Sequence, residues 1–173
     1  MASWRTFETE SPDLAARGSA LWAGITRLHR GEAAIAGEHV FSIAYLATVR
    51  RDGAPRLHPV CPFLVDGQLR VAIPPASPKG HDLRREPRCV LHALPGPDDV
   101  ELNVRARAHE VDDPDVRASA VATVGASGVG GMVETVAHHP LFRFDLERVD
   151  MAWWVDVGQP GTYAERRRWV ASS

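Results

Sequence analysis

Two Asp-Gly dipeptides, Asp52-Gly53 and Asp66-Gly67, constrain the fold of this chain more than any other feature. Each lies between runs rich in β-branched and apolar residues. Asp-Gly in that setting signals a hairpin, because tight turns need left-handed backbone that these two residues tolerate. Residues 40–49 (VFSIAYLATV) read as a first strand, residues 55–65 (PRLHPVCPFLV) as its return, and Gln68 to Ile73 as a third. Three strands joined by two such turns predict an antiparallel meander.

The periodicity then changes. Ser77-Pro78 opens a short helix to about Glu86, with serine suited to the N-cap, proline to the first helical position, and Pro87 ending it. Arg88 to Ala93 and Val100 to Val111 read as strands, with a turn at Pro95-Gly96-Pro97-Asp98. Asp113-Pro114 starts a helix to about Val124, residues 125–131 (GASGVGG) form a glycine-rich loop, and a second short helix precedes His138-His139-Pro140. Leu141 to Val149 and Met151 to Val157 read as two closing strands. Before the first strand, residues 11–30 carry Leu14, Leu21, Trp22, Ile25 and Leu28 at helical spacing. Six or seven strands with few helices predict a mainly β fold, a small antiparallel barrel that removes sheet edges by closing on itself.

At 173 residues the chain is the size of one domain: an N-terminal helix at 11–30, a barrel core at 40–111, a helical and glycine-rich insertion at 113–138, and closing strands at 141–157. A net charge of −2 leaves no footprint for nucleic acid. No apolar segment is long enough to cross a bilayer, and no signal core follows Met1, so a cytoplasmic location is expected. Cys61 and Cys89 each fall inside an apolar strand and read as free thiols. The histidines show no zinc spacing with a cysteine pair.

Lys79 is the only lysine in the chain, and it falls in the first turn of the Ser77 helix. A cation there opposes the helix dipole, unless an anion joins it and the free helix amides in a phosphate-sized pocket. The same residues also suit an ordinary helix start whose lysine points into water. In His58-Pro59-Val60-Cys61-Pro62, two prolines interrupt a strand. They mark either a protected edge or a bulge whose unpaired backbone groups face a planar ligand. The glycine run has neither dinucleotide-fold spacing nor a P-loop lysine. Trp153 and Trp154 must point to opposite faces of their strand. No carboxylate pair, Ser-His-Asp or Cys-His arrangement stands out, so hydrolysis is unsupported.

The order of elements from Phe41 to Val111 resembles the pyridoxamine 5′-phosphate oxidase-like split β-barrels of the flavin and deazaflavin-dependent oxidoreductase superfamily. A strand leads to Asp52-Gly53-Ala54-Pro55, then Arg56 to Phe63, then Asp66-Gly67 and an apolar strand. Ser77-Pro78-Lys79, Leu83, Glu86-Pro87-Arg88-Cys89-Val90 and the strand Val104 to Ala108 follow in turn. The resemblance implies a homodimer with a cofactor between its subunits. His58, Pro59, Val60 and Cys61 would line the isoalloxazine, and Ser77, Lys79 and Gly80 would hold the phosphate. Phe63, Ile73 and Glu101 would border the cofactor, and Trp154 would reach the partner's flavin.

Departures narrow that expectation. His58 and Phe63 stand where pyridoxamine-phosphate oxidases proper carry an arginine and a lysine, and Ile73-Pro74 replaces an aromatic-hydroxyl pair. Vitamin B6 oxidation is therefore not expected. The expectation is an oxidoreductase moving hydride between FMN, or a deazaflavin coenzyme, and a small organic substrate. The alternatives are a non-enzymatic barrel for a flavin, a coenzyme or haem, with His58 or His138 as haem ligand, and a ligand-free dimerisation module.

Overall fold

The two Asp-Gly turns form as hairpins, each in its own way. Asp66 and Gly67 both take positive φ, 54° and 73°, the pair of left-handed residues that a two-residue hairpin needs. At the first turn only Gly53 is left-handed, with φ 83°. Its amide donates to the Arg50 carbonyl at 3.0 Å and the Arg50 amide donates to the Ala54 carbonyl at 2.8 Å, a turn one residue longer that still carries β1 into β2. In this computed structural model residues 1–24, 43–93, 100–126 and 130–172 are described. The predicted turn at 95–98, strand residues 40–42 and helix residues 25–30 lie outside them.

The strands are β1 (Ala44–Val49), β2 (Pro55–Val60), β3 (Phe63–Val65), β4 (Gln68–Ala72), β5 (Arg88–Ala93), β6 (Glu101–Val111), β7 (Leu141–Val155) and β8 (Tyr163–Val170). The helices are α1 (Trp4–Glu10), α2 (Pro12–Gly24), α3 (Pro78–Arg85), α4 (Pro114–Ala126) and α5 (Gly130–His138). All eight strands join one sheet in the order β2-β1-β5-β6-β7-β4-β3, with β8 added to β7. Every pairing is antiparallel. The sheet curls into a half-barrel whose edge strands β2 and β3 do not pair with one another, which is the split of a split β-barrel.

That topology corrects the predicted meander. Residues 55–65 are not one returning strand: β2 pairs with β1, β3 pairs with β4, and the two lie at opposite edges of the sheet. The prolines explain the break. Pro59 and Pro62 cannot donate to a ladder, so the chain leaves β1 at Val60 and resumes pairing at Phe63. The edge-strand reading of the prolines therefore holds.

A second correction concerns the closing strands, which are one strand of 15 residues. Asp150 does not turn the chain; Glu147 forms a bulge opposite Arg105 and Ala106, and the strand continues. One edge of β7 carries β6, while the other carries β4 at 141–143 and β8 at 148–155. Helix α1 and strand β8 were not anticipated. Of the glycine run, Gly125 and Ala126 end α4, while Gly130 and Gly131 open α5.

The inner face of the sheet supplies Leu46, Leu69, Val71, Leu91, Leu102, Val104, Phe142 and Phe144, all essentially without solvent contact. Helix α1 seals this core from one side with Trp4 and Phe7, which pack edge to face at 5.2 Å. Trp169 of β8 stacks on Phe7 at 5.2 Å and donates to Glu10 at 2.7 Å, tying the two ends of the chain together. The α4–α5 hairpin covers the outer face of β3, β4 and β7 through a second apolar cluster of Val65, Ala120, Val124, Met132, Val136 and Leu141.

Candidate functional site

Because β2 and β3 are consecutive in sequence but lie at opposite edges, the Cys61-Pro62 link spans the split of the barrel. Helix α3 begins beside this link. Ser77 is extended at φ −71°, ψ 129° and makes no side-chain cap bond, and Pro78 follows at the first helical position. Ser77 and Lys79 are half-buried. Lys79 and Cys61 lie close enough for each to act on the other's charge.

The electrostatics of this corner are those of a cation with no carboxylate partner among the described residues. Burial pulls the Lys79 ammonium below its ordinary pKa, with only Cys61 acting against the shift. Burial pushes the Cys61 thiol up, and Lys79 only partly offsets it, so the thiol stays neutral at physiological pH. Among the described residues no carboxylate lies within salt-bridge distance of Lys79. A half-buried ammonium, an uncapped hydroxyl and a positive helix start thus converge, a combination that accepts an anion of phosphate size. Cys61 and Phe63 pack against the apolar cluster beneath α4–α5, which walls one side of the corner.

The remaining predicted residues are placed differently. The Gly80 amide is already engaged, donating to the Ser77 carbonyl at 3.0 Å, and the His81 amide converges there at 3.2 Å. Pro78 has no N–H, so of the first turn only the Lys79 amide is left for a ligand. Gly80 is buried because α3 approaches β4 closely; a Cβ there would meet Ile73 Cγ2 at 3.3 Å. Ile73 itself is wholly buried.

On β2 the side chains alternate. His58 and Val60 face inward, opposite Leu46 and Ala44, while Pro59 is exposed on the other face opposite Tyr45. Val60 belongs to the core, so it offers a ligand backbone rather than side chain. Trp154 is half exposed near the far end of β7, roughly 40 Å of strand from Leu141. It does not meet Lys79 within one chain. His138 ends α5 and pairs with Glu134 at 3.3 Å.

Asp82 was missed by sequence reasoning. Its carboxylate is 4% exposed and accepts from Arg56 at 2.6 Å, Thr48 at 3.1 Å and Arg85 at 3.3 Å. Burial raises its pKa, but the bonds from Arg56, Thr48 and Arg85 outweigh that and hold the carboxyl below its usual range. The network pins α3 to β1 and β2 at once, and so sets where the helix start sits. No sequence signal marks it, because Arg56 and Thr48 lie 26 and 34 residues away and only Arg85 is near in sequence.

A second feature lies on the outer face of β1, β5, β6, β7 and β8. It is a groove of about 890 Å³ whose lining includes Val90, Asn103, Arg105, Arg148, Arg166 and Arg168. Six arginines against three carboxylates line it, so it is cationic in a chain that is acidic overall. Arg148 and Arg168 share the single carboxylate of Asp150. Of the predicted site residues only Glu101 lines this groove. Among the described residues no group of His, Cys, Asp and Glu could hold a metal ion, and no helix is long and apolar enough to cross a membrane.

A curled antiparallel sheet, split between β2 and β3 with a helix start at the split, defines the class of split β-barrel proteins. The family model for pyridoxamine 5′-phosphate oxidase matches residues 33–158, and the chain belongs to that family. Solved structures with the same fold include the haem-storage protein HutZ of Vibrio cholerae, 18% identical, covering 61% of this chain and 82% of that one with a TM-score of 0.54. A haem-binding protein of Mycobacterium smegmatis is 16% identical, covering 79% of this chain and 59% of that one, with a TM-score of 0.57. A NimC/NimA family protein of Clostridium acetobutylicum is 15% identical, covering 86% and 98%, with a TM-score of 0.54. Among curated proteins none matches.

Proposed function

We propose that the chain is a flavin-binding oxidoreductase that seats the phosphate of FMN, or of a deazaflavin coenzyme, at the Cys61–Lys79 corner. The observation that carries this reading is the half-buried Lys79 ammonium, uncompensated by any described carboxylate, beside the uncapped Ser77 hydroxyl. The bound ring would supply hydride transfer to or from a small organic substrate. The protein's part is to hold and shield it. Lys79 and Ser77 fix the phosphate, and the free edge of β2 at His58 to Cys61 offers unpaired backbone groups to the ring. The neutral Cys61 thiol and Phe63 exclude water. No side chain of the corner is assigned as a general acid or base.

The cofactor reading is tested by the absorbance of the purified protein and by FMN titration. Bound FMN gives its own two-band spectrum, and FMN at a hundredfold excess over its Kd is expected to add about 2.7 kcal/mol to stability. Neither a spectrum nor a rise in melting temperature with FMN or a deazaflavin sinks the reading. The names of HutZ and the mycobacterial structure favour haem as the second reading. His58 is then the ligand, and haem rather than FMN raises the melting temperature.

We also propose that the working form is a homodimer. The outer face of β1 and β2 exposes Leu57 at 62% and Tyr45 at 37%, beside Pro55 and Pro59, an apolar row that a second copy would cover. Light scattering is expected to give twice the chain mass. A monomer that still holds cofactor would overturn the shared-site arrangement.

A further inference from the structure

The outer face of β4 and β7 beneath the α4–α5 hairpin is polar toward its rim with β6, where Arg143 and His109 keep 37% and 39% of their side-chain surface exposed. Arg70 of β4 stands opposite Arg143 of β7, which stands opposite His109 of β6, with Asp145 next along β7. Arg70 is 5% exposed and Asp145 6% exposed. The Nε and Nη1 atoms of Arg70 and the Nε of Arg143 are buried, and none has a hydrogen-bond partner among the described residues. Asp145 lies 3.3 Å from both Arg143 and His109, its Oδ2 unbonded.

A guanidinium does not lose its proton on burial, so its charge and its N–H groups must be met where they are. Like charges directly opposite on neighbouring strands repel, and Arg70 and Arg143 are such a pair. The buried carboxylate of Asp145 pairs with Arg143 at 3.3 Å, and no described carboxylate makes an ion pair with Arg70. Asp66 and Asp113 act on Arg70 from the exposed rim, but neither makes an ion pair with it. Counting Arg70, Arg143 and Asp145, the layer is left with one positive charge and three guanidinium nitrogens whose N–H groups are unmet. Water could accept from those donors but would leave the charge uncompensated.

We propose that Arg70 and Arg143 together hold a small monovalent anion, of the size and charge of a halide, buried between the sheet and the α4–α5 hairpin. The site is distinct from the Lys79 corner and does not depend on the cofactor reading. It fastens the helical hairpin to the sheet by neutralising the layer between them. Arg117 in turn ties the two helices to each other, donating to the carbonyls of Val136 and His139 at 2.8 Å each.

Two measurements on the full chain test this. Crystals grown with bromide in place of chloride are expected to show an anomalous peak between the two guanidinium groups. In solution the melting temperature is expected to fall by several degrees when chloride is replaced by gluconate, too large for the site, at equal ionic strength. Arg70→Met should abolish that dependence, since one guanidinium less leaves no excess charge, while the surface variant Arg166→Gln should keep it. The proposal is overturned by ordered water alone between the arginines, or by Arg70→Met retaining the wild-type halide dependence. Bromide in the crystal without any halide effect in solution, an adventitious ion only, also overturns it. Should Arg70→Met fail to fold, the bromide peak and the wild-type halide dependence decide together.

Discussion

Asp82→Ala is expected to cost about 3 kcal/mol of folding stability at neutral pH, the lower end of the range for removing one partner of a buried ion pair. The lower end applies because Arg56 and Arg85 keep 25% and 38% of their side-chain surface exposed, so both can regain water when the carboxylate is gone. For a chain of this size that loss lowers the melting temperature by roughly 6–12 °C. Urea unfolding of the two proteins measures it. Asp82→Asn keeps the shape and should lose less.

The sign with pH follows from the direction of the shift. The folded Asp82 carboxyl has a lowered pKa, so its contribution is fully present above the ordinary carboxylate range. It is lost as pH falls through the folded value. The gap between wild type and Asp82→Ala should therefore stay constant near neutrality and narrow below about pH 4. A gap that widens in acid would mean that the carboxyl is not held by Arg56, Thr48 and Arg85 as described.

Lys79→Ala is expected to weaken FMN binding ten- to a hundredfold, about 1.4–2.8 kcal/mol, the scale of one lost charge-assisted contact. Folding should be spared, because no described carboxylate loses a partner when this ammonium goes. Titration of FMN fluorescence with both proteins gives the ratio directly. Binding should also weaken as pH rises through the Lys79 pKa, and earlier than for an exposed lysine, since burial lowers that pKa. Equal affinity of wild type and Lys79→Ala, both folded, removes Lys79 from the site.

The local elements were legible because their signals are local. Asp66-Gly67 specifies a turn by its own backbone preferences, and Ser77-Pro78 with Pro87 bounds α3 at both ends. The Arg88–Ala93 and Glu101–Val111 strands follow from alternation over their own lengths. Where the reading failed, a distant partner decided. Residues 141–155 form one strand because β6 and β8 pair along it, and the bulge at Glu147 absorbs what looked like a break. Strand β8 hid behind Arg166-Arg167-Arg168, whose charges suit an exposed edge but signal no strand. Helix α1 has only seven residues, and its reason to exist is the burial of Trp4 and Phe7.

The candidate site divides in the same way. Its lysine, its serine and its broken strand could be named from residue types and spacing. That Cys61 faces Lys79, that the Gly80 amide is spent on Ser77, and that Asp82 locks the helix in place depend on contacts between segments far apart in sequence. The amino-acid order alone determined turns, helix limits and the alternation of strands, because those arise from backbone preferences within a few residues. Only the tertiary structure decided which strands are neighbours, which charges are buried and which are left uncompensated. Pairing and desolvation are properties of surfaces brought together, and no short stretch of chain contains them.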